Sequence, residues 1–462
     1  SSMARLERLD YPSDSKSLFE CVRDLPWPVL LESSNDYLPS ARYDIIAADP
    51  VLRIYCEGAR TKIESREGEA YSELDPLEVV RDALGEQAEA IDNLPFTGGA
   101  LGYVAYDYGR RHESIGSSAA ADIDIPDVAM GIYDWAVVVD HLDRECWLAS
   151  HCRDVQTLAG WDALLSRFRQ RAHGAGVPER FRVSGAVESN LSREAYAGAF
   201  SSVKAHITAG DCYQINLTQR FSADASGDAW DAYCRLRNLS PAPYAAWLEY
   251  PFAQIASSSP EQFLSVRDGR AQTKPIKGTR ARSSEPLHDS ERARELHLST
   301  KDRAENVMIV DLLRNDFGRC CAAGTVKVSR LLAIESFANV HHLVSTNEGK
   351  LRDDCDAIDL LVACFPGGSI TGAPKIRSMQ IIDSLEPHRR SIYCGSVGYI
   401  GYDGKMDSNI AIRTLLIAGG KVYAWAGGGI VADSDLALEY QESFDKATAM
   451  LQVLRDTSEP RD

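Results

Sequence analysis

The chain has 462 residues, 44% hydrophobic and 25% charged, with a formal net charge of -17, which suits a large globular core and about two or three domain-sized units. So acidic a surface repels nucleic acid and anionic membrane at long range. The apolar run "MGIYDWAVVVDHL" is broken by Asp134 and Asp140, well short of the roughly 18 apolar residues of a membrane span.

Eleven cysteines with no C-x-x-C pair read as reduced thiols rather than a disulfide framework or a zinc site. No apolar signal core lies near the start, and Ser1-Ser2 ahead of Met3 read as a cloning remnant, so the expected setting is the cytoplasm. From about residue 20 to 170, short β-rich runs ("PWPVLLES", "ARYDIIAADP", "MGIYDWAVVVDH") alternate with turns and a glycine-dense "TGGALGYVAYDYGRR". Few polar groups converge in this half. A Gly-, Ser- and charge-rich stretch follows and reads as a connector over 176–190. It separates an N-terminal segment, 1–175, from a C-terminal segment, 191–457, and the two are expected to interlock in one unit.

Beyond the connector, Ser192 caps a predicted helix in which Tyr196, Phe200, Val203 and Ile207 recur at helical spacing until Gly210. "CYQINLTQRF" then alternates, with Tyr213, Ile215 and Leu217 on one side and Gln214, Asn216 and Thr218 on the other, as a strand does. Further helices are predicted at about 300–314, 374–385 and 436–455, and strands at about 254–266, 393–402, 410–418 and 421–427. Gly419-Gly420 supplies a hairpin turn. The expected fold is α+β, with large antiparallel sheets forming a two-layer β-sandwich core and helices outside it.

Three motifs bear on chemistry. "FPGGSITGAPK" has the glycine spacing of a phosphate loop, but Ala373-Pro374 stand where Lys-Ser or Lys-Thr is needed, and proline lacks an amide donor. Pro374 is better placed in the first turn of a helix anchored by Ile376, Met379 and Leu385, and a plain structural turn fits the glycines equally well. Asp302 with Glu305, and Glu439 with Glu442, are each spaced i, i+3, so each pair shares one helix face. Two such faces can meet around Mg2+, one carboxylate per helix, with water completing the octahedron; solvated surface pairs such as Glu442 with Lys446 are the bland reading. Third is "QTKPIKGTRAR" with the Glu261 of "SSSPEQF". Between a strand end and a turn at Gly278-Thr279, Lys277 acts as a nucleophile only if desolvation, or cations such as Lys274 and Arg280, pull it below its reference pKa near ~10.4. Glu261 then serves as acid if burial raises it. A solvated basic turn is the alternative.

Taken together, "SPEQF", "TKPIKGTR", "KDRAENVMIVDLLRND", "VHHLVS", "FPGGSITGAPKIRSMQIID", "YCGSVGYI", "IAIRT", "GGGIVADS" and "EYQESFDKA" resemble, in order, the motifs of the chorismate-utilising enzymes. "LLES", "RYDIIAADP" and "GGALGYVAYDYGRR" resemble the family's more variable first segment. The resemblance implies an anthranilate synthase component I-like fold and Mg2+ on Glu305 and Glu442, with Asp302 and Glu439 reached through water. It also implies a chorismate site formed by Tyr393, Arg413, the Gly427-Gly428-Gly429 backbone and Lys446, lined further by His342 and Ser369.

Within the family, "PIKGT" is similar to the aminodeoxychorismate synthases, whereas anthranilate synthases resemble "PIAGT". Gln214 stands where isochorismate and salicylate synthases carry a water-activating lysine, and a glutamine cannot act as that base. The implied reaction is chorismate and ammonia to 4-amino-4-deoxychorismate, through a Lys277 adduct at C2 with Glu261 as proton donor, toward 4-aminobenzoate and folate. Amination at C2 by an anthranilate synthase component I is the alternative, and a binding protein that has kept the fold but lost the chemistry is a third. No G-x-C-x-G elbow is present, so ammonia is expected from a separate glutaminase subunit, component II. Ser33, Arg42, Tyr43, Pro243 and Tyr244 match a tryptophan pocket, where a purely structural role is equally open.

Overall fold

The computed structural model describes residues 3–171 and 179–459. Two twelve-stranded antiparallel sheets dominate it, and each takes strands from both sides of the 176–190 stretch. In the first, Val29–Glu32 pairs with Tyr244–Glu249, and Gln214–Ser226 pairs with Lys421–Ile430. In the second, Gly99–Val104 pairs with Ser396–Gly401, and Val340–Lys350 pairs with both Arg270–Thr273 and Ile276–Ala281.

The period-two alternation of the strands builds the layers. Val29, Ile45, Ala47, Ala246, Leu248 and Ile255 of the first sheet share one continuous core with Leu101, Tyr103, Ala129, Tyr133 and Val397 on the facing side of the second. Their neighbours Leu30, Ile46, Trp247 and Ala256 turn to the other side, where Leu18, Leu165, Trp230 and Val453 from flanking helices cover them. The sandwich with helices outside therefore forms as the sequence predicts.

Several boundaries differ. Residues 182–189 of the expected connector form an edge strand, Arg182–Ser189, paired with Gln214–Ser226, while 176–178 lie outside the described residues. The predicted 436–455 helix is two helices, Leu436–Lys446 and Thr448–Asp456. The 254–266 run splits at Pro260-Glu261 into Gln254–Ser259 and Gln262–Arg267. The strand predicted at 393–402 spans Ser396–Gly401, and the one at 410–418 begins at Thr414. Pro374 sits at the N-cap of Lys375–Leu385 rather than inside its first turn, and Ile376 is exposed while Met379 carries the packing.

The largest difference is at 276–281, where no turn forms. Ile276–Ala281 is a strand, and its register slips against Val340–Lys350: Ile276 faces Val344 and Thr279 faces His342. Three steps along one strand match two along the other, so one extra residue bulges out at Lys277-Gly278, and bulges bend a strand and re-aim its side chains.

Candidate active site

That bulge needs its glycine. Gly278 holds φ at +106°, and an added Cβ would stand 2.6 Å from Leu296 Cδ1 and 2.9 Å from Asp302 Oδ2. The bulge brings Lys277 to the wall of a cleft of about 390 Å³, lined also by Glu261, Ser369, Tyr393, Arg413, Gly427, Gly429, Glu305, Glu442 and Lys446. Lys277 Nζ donates to the Ser369 carbonyl at 3.2 Å. Glu261, 5% exposed, accepts from the Ile276 amide at 3.0 Å and from Ser369 Oγ at 2.8 Å. One serine therefore fixes both the amine and the carboxyl. Burial pushes the Glu261 carboxyl above the usual range, against the Ile276 amide, the Lys277 charge and the Ser369 hydrogen bond.

The basic neighbours of Lys277 are engaged elsewhere. Lys274 pairs with Glu335 at 3.0 Å, and Arg280 faces Glu295 and Asp302 at 3.6 and 3.8 Å.

Across the cleft, the helices Thr300–Gly318 and Leu436–Lys446 are capped by Ser299 and Asp435. Glu305 and Glu439 are 7% and 2% exposed, and one oxygen of each, Glu305 Oε1 and Glu439 Oε2, is buried with no hydrogen-bond partner among the described residues. Lys301 Nζ lies 2.5 Å from Glu439 Oε1 and 3.6 Å from Glu442 Oε2, and Lys446 Nζ lies 3.1 Å from Glu442 Oε1. Burial raises Glu305 and Glu439. It acts the same way on Glu442, but Lys446 and Lys301 outweigh it and hold that carboxyl below its ordinary value.

Orphaned carboxylate oxygens on two facing helices fit a hard divalent cation that keeps several waters. Among the described residues no three acidic, histidine or cysteine side chains close into a ready-made cage, so such an ion would be held by few protein ligands and water.

Toward the other end, the Arg413 guanidinium has no carboxylate partner among the described residues, and burial pulls it below its usual value. A partly buried cation without a carboxylate partner suits an anionic ligand. Tyr393 stacks on Trp425 with ring centres 5.7 Å apart. Gly427, Gly428 and Gly429 lie opposite Thr218, Leu217 and Asn216, and a Cβ at Gly428 would sit 3.4 Å from both Glu439 Oε2 and Lys446 Nζ. The bare backbone thus leaves room between the sheet and the acidic helix.

A family model described as "chorismate binding enzyme" matches residues 33–452. The chain belongs to the chorismate-binding enzymes. As such it is 46% identical to the aminodeoxychorismate synthase component 1 of Salmonella typhimurium over 96% of this chain and 97% of the relative. Identity to the Escherichia coli protein of the same description is 45%, over 94% and 95%. Anthranilate synthase component I from Streptococcus pneumoniae superposes on this chorismate-binding enzyme with a TM-score of 0.78 at 32% identity, covering 91% of this chain and 94% of that one.

Of the residues expected at the chorismate-binding site, His342 is set apart. It lines a small adjoining cavity of about 40 Å³ with Tyr37, Lys274 and Phe337. Its Nδ1 bonds Thr279 Oγ1 at 3.1 Å, and burial, with the Arg413 and Lys274 charges, pushes it down to about 4, so it is neutral at physiological pH. Ser33, Arg42, Tyr43, Pro243 and Tyr244 come together on a separate cleft of about 290 Å³. There Ser33 Oγ donates to Asp44 at 3.1 Å and Arg42 is tied to Asp140 at 2.6 Å.

Sequence reasoning missed Lys301 and Asn216. The i, i+4 spacing of Lys301 to Glu305 was a usable signal, and the polar face of "QINLT" was another. Among the described residues no helix is long and apolar enough to cross a membrane.

Proposed function

We propose that this enzyme converts chorismate and ammonia to 4-amino-4-deoxychorismate, in 4-aminobenzoate and folate biosynthesis. The observation that carries the reading is the bulge that brings Lys277 to the cleft wall beside Glu261, both fastened to Ser369. The relatives at 45–46% identity described as aminodeoxychorismate synthase component 1 support it.

Neutral Lys277 adds through Nζ to ring carbon C2. Both ring double bonds shift by one position, from C1=C2 and C5=C6 to C6=C1 and C4=C5, the C4–O bond breaks, and the oxygen takes the Glu261 proton and leaves as water. Ammonia then attacks C4, both double bonds shift back, and the C2–N bond breaks with its electron pair going back to Lys277. The surplus proton on the new amine returns to Glu261. Two displacements leave nitrogen where oxygen stood, which is the usual gain from splitting one hard step in two.

Arg413, Tyr393, Lys446 and the Gly427–Gly429 backbone hold the dianion. Glu305 and Glu442, with Asp302 and Glu439 through water, would hold Mg2+, which neutralises the ring carboxylate when bound. Ammonia comes from a separate glutaminase subunit, the component II that a "component 1" implies, and the cleft at Ser33 and Tyr43 takes tryptophan. Incubation with chorismate, Mg2+ and an ammonium salt should yield 4-amino-4-deoxychorismate by mass and absorbance; anthranilate or isochorismate as the sole product would refute the reading.

Glu261→Gln should lower turnover roughly 10²–10⁴-fold, the usual range for removing a general acid. Activity that needs the protonated acid declines as pH rises through its raised value, and the variant should lose that alkaline limb. Stability moves the same way with pH. A carboxyl raised in the folded state contributes stability below its unfolded value and loses it as pH rises through the folded one, so Glu261→Gln should match or exceed the wild-type melting temperature at neutral pH. Melting scans and pH–rate profiles test both signs.

A further inference from the structure

The strand Gln214–Ser226 turns Gln214, Asn216 and Thr218 to one face, and the mechanism above uses none of these side chains. Thr218 is committed: its amide and Oγ1 both donate to Glu386 Oε2, at 3.1 and 2.9 Å. Asn216 is not. It is 7% exposed and lines the same cleft as Glu261, Lys277 and Ser369, yet its Nδ2 is shut off from solvent with no hydrogen-bond partner among the described residues.

Its backbone, by contrast, is held from both ends. The amide donates to the Thr371 carbonyl at 2.9 Å, and the carbonyl accepts from Arg390 Nη2 at 2.8 Å. The same guanidinium donates through Nη1 to the Ile370 carbonyl at 2.7 Å. Arg390 therefore ties the Asn216 backbone to the turn whose Ser369 fixes both Lys277 and Glu261, so the base of the side chain is fixed on the cleft wall. Leaving a buried amide hydrogen without an acceptor is costly, and such orphans in a rigid pocket wall point to a partner supplied by the ligand.

The chemistry of the donor narrows that partner. The carboxylates of a dianion are met by Arg413, Lys446 and the acidic helices' metal position, all charged. A neutral amide suits a neutral oxygen, and the group handled on the Glu261 side of the cleft is the ring hydroxyl that departs. We propose that Asn216 Nδ2 donates a hydrogen bond to that hydroxyl and holds it against the Glu261 carboxyl. This rests on the Lys277 and Glu261 reading. In the step, the C4–O electron pair goes to oxygen and the Glu261 proton follows it; Asn216 transfers nothing, but steadies the oxygen as negative charge gathers on it and orients its lone pair toward the acid.

The test compares wild type with Asn216→Val and Asn216→Ala. Loss of one such hydrogen bond should cut kcat/KM for chorismate about 10- to 100-fold, through weaker binding as well as slower turnover. Lys277 adduct formation without ammonia, followed by intact mass, should slow by a similar factor. The melting temperature should hold or rise, because the valine replaces an unpaired amide, and this separates the contact from a merely structural role. Wild-type kcat/KM within about twofold, or a rate loss matched by a lower melting temperature, overturns the proposal. Absence of 4-amino-4-deoxychorismate from wild type itself would refute the function instead. The variants are then scored by chorismate affinity in calorimetry, where an unchanged value overturns the contact.

Discussion

Lys277→Met is expected to leave a folded protein whose rate of 4-amino-4-deoxychorismate formation is at least about 10³-fold lower, as loss of a nucleophile demands. Little else should change. Lys277 is half-buried, and its one side-chain hydrogen bond among the described residues runs from Nζ to a backbone carbonyl, while the Ile276 amide and the Ser369 hydroxyl that hold Glu261 involve other atoms. Methionine follows the same path along the cleft wall without the amine, so stability should move by no more than about 0.5 kcal/mol. What matters is where the amine sits. The bulge places it on the same cleft as Glu305 and Glu442 and beside Glu261, so under the proposed mechanism ammonia has no covalent route to C4 without it. Direct attack at C2 remains geometrically open to a nucleophile entering the vacated space, and an anthranilate-type product from the variant would assign the choice of ring carbon to Lys277. Product analysis by liquid chromatography and mass spectrometry decides it. Formation of 4-amino-4-deoxychorismate above about a tenth of the wild-type rate would rule out an obligatory lysine adduct.

The sandwich was legible because its strands carry their own evidence. Alternation in "VLLE", "YDIIA" and "AAWLE" separates the residues facing the second sheet from those facing the helices, and a period of two survives in any context with one buried layer on each side. The acidic pairs were legible for the same reason in helical form, since i, i+3 spacing fixes a face whatever lies opposite it. Harder to read was anything set by non-local pairing. Residues 276–281 look like a turn because Gly278-Thr279 is turn chemistry; only the register against Val340–Lys350 makes the glycine a bulge. Arg182–Ser189 looks like a connector because an edge strand exposed on one side needs few apolar residues, and its pairing comes from Gln214–Ser226. The break at Ala447 and the strand Met406–Asn409 likewise answer to neighbours the local pattern does not name. Nor does any local pattern foretell the polar cluster beneath the second cleft, where Ser15, Ser33 and His141 all converge on Asp44.

Arg390→Met should be the most damaging single change to stability, costing about 3–5 kcal/mol, the usual loss when one partner of a buried ion pair is removed. Arg390 is 1% exposed and Glu386 5%. Nε and Nη2 reach Glu386 Oε1 and Oε2, both at 2.9 Å. Burial works against the charged guanidinium, and Glu386 outweighs it. Methionine fills a similar volume but strands the Glu386 carboxylate, whose other donors, the Thr218 amide and hydroxyl, cannot supply a positive charge. It also frees the Ile370 and Asn216 carbonyls that Arg390 holds at 2.7 and 2.8 Å. A denaturant titration should show the loss as a lower midpoint with unchanged slope, and the double variant Glu386→Gln with Arg390→Met should recover part of it, because no buried charge is then left unpaired. Turnover should not recover in step. The guanidinium is what joins Asn216 to the turn that places Ser369, so with it gone the lysine, the acid and the amide lose their common anchor even where the fold is restored. Stability regained without turnover would show that Arg390 does two separable jobs; full recovery of both would show that the ion pair matters only for folding.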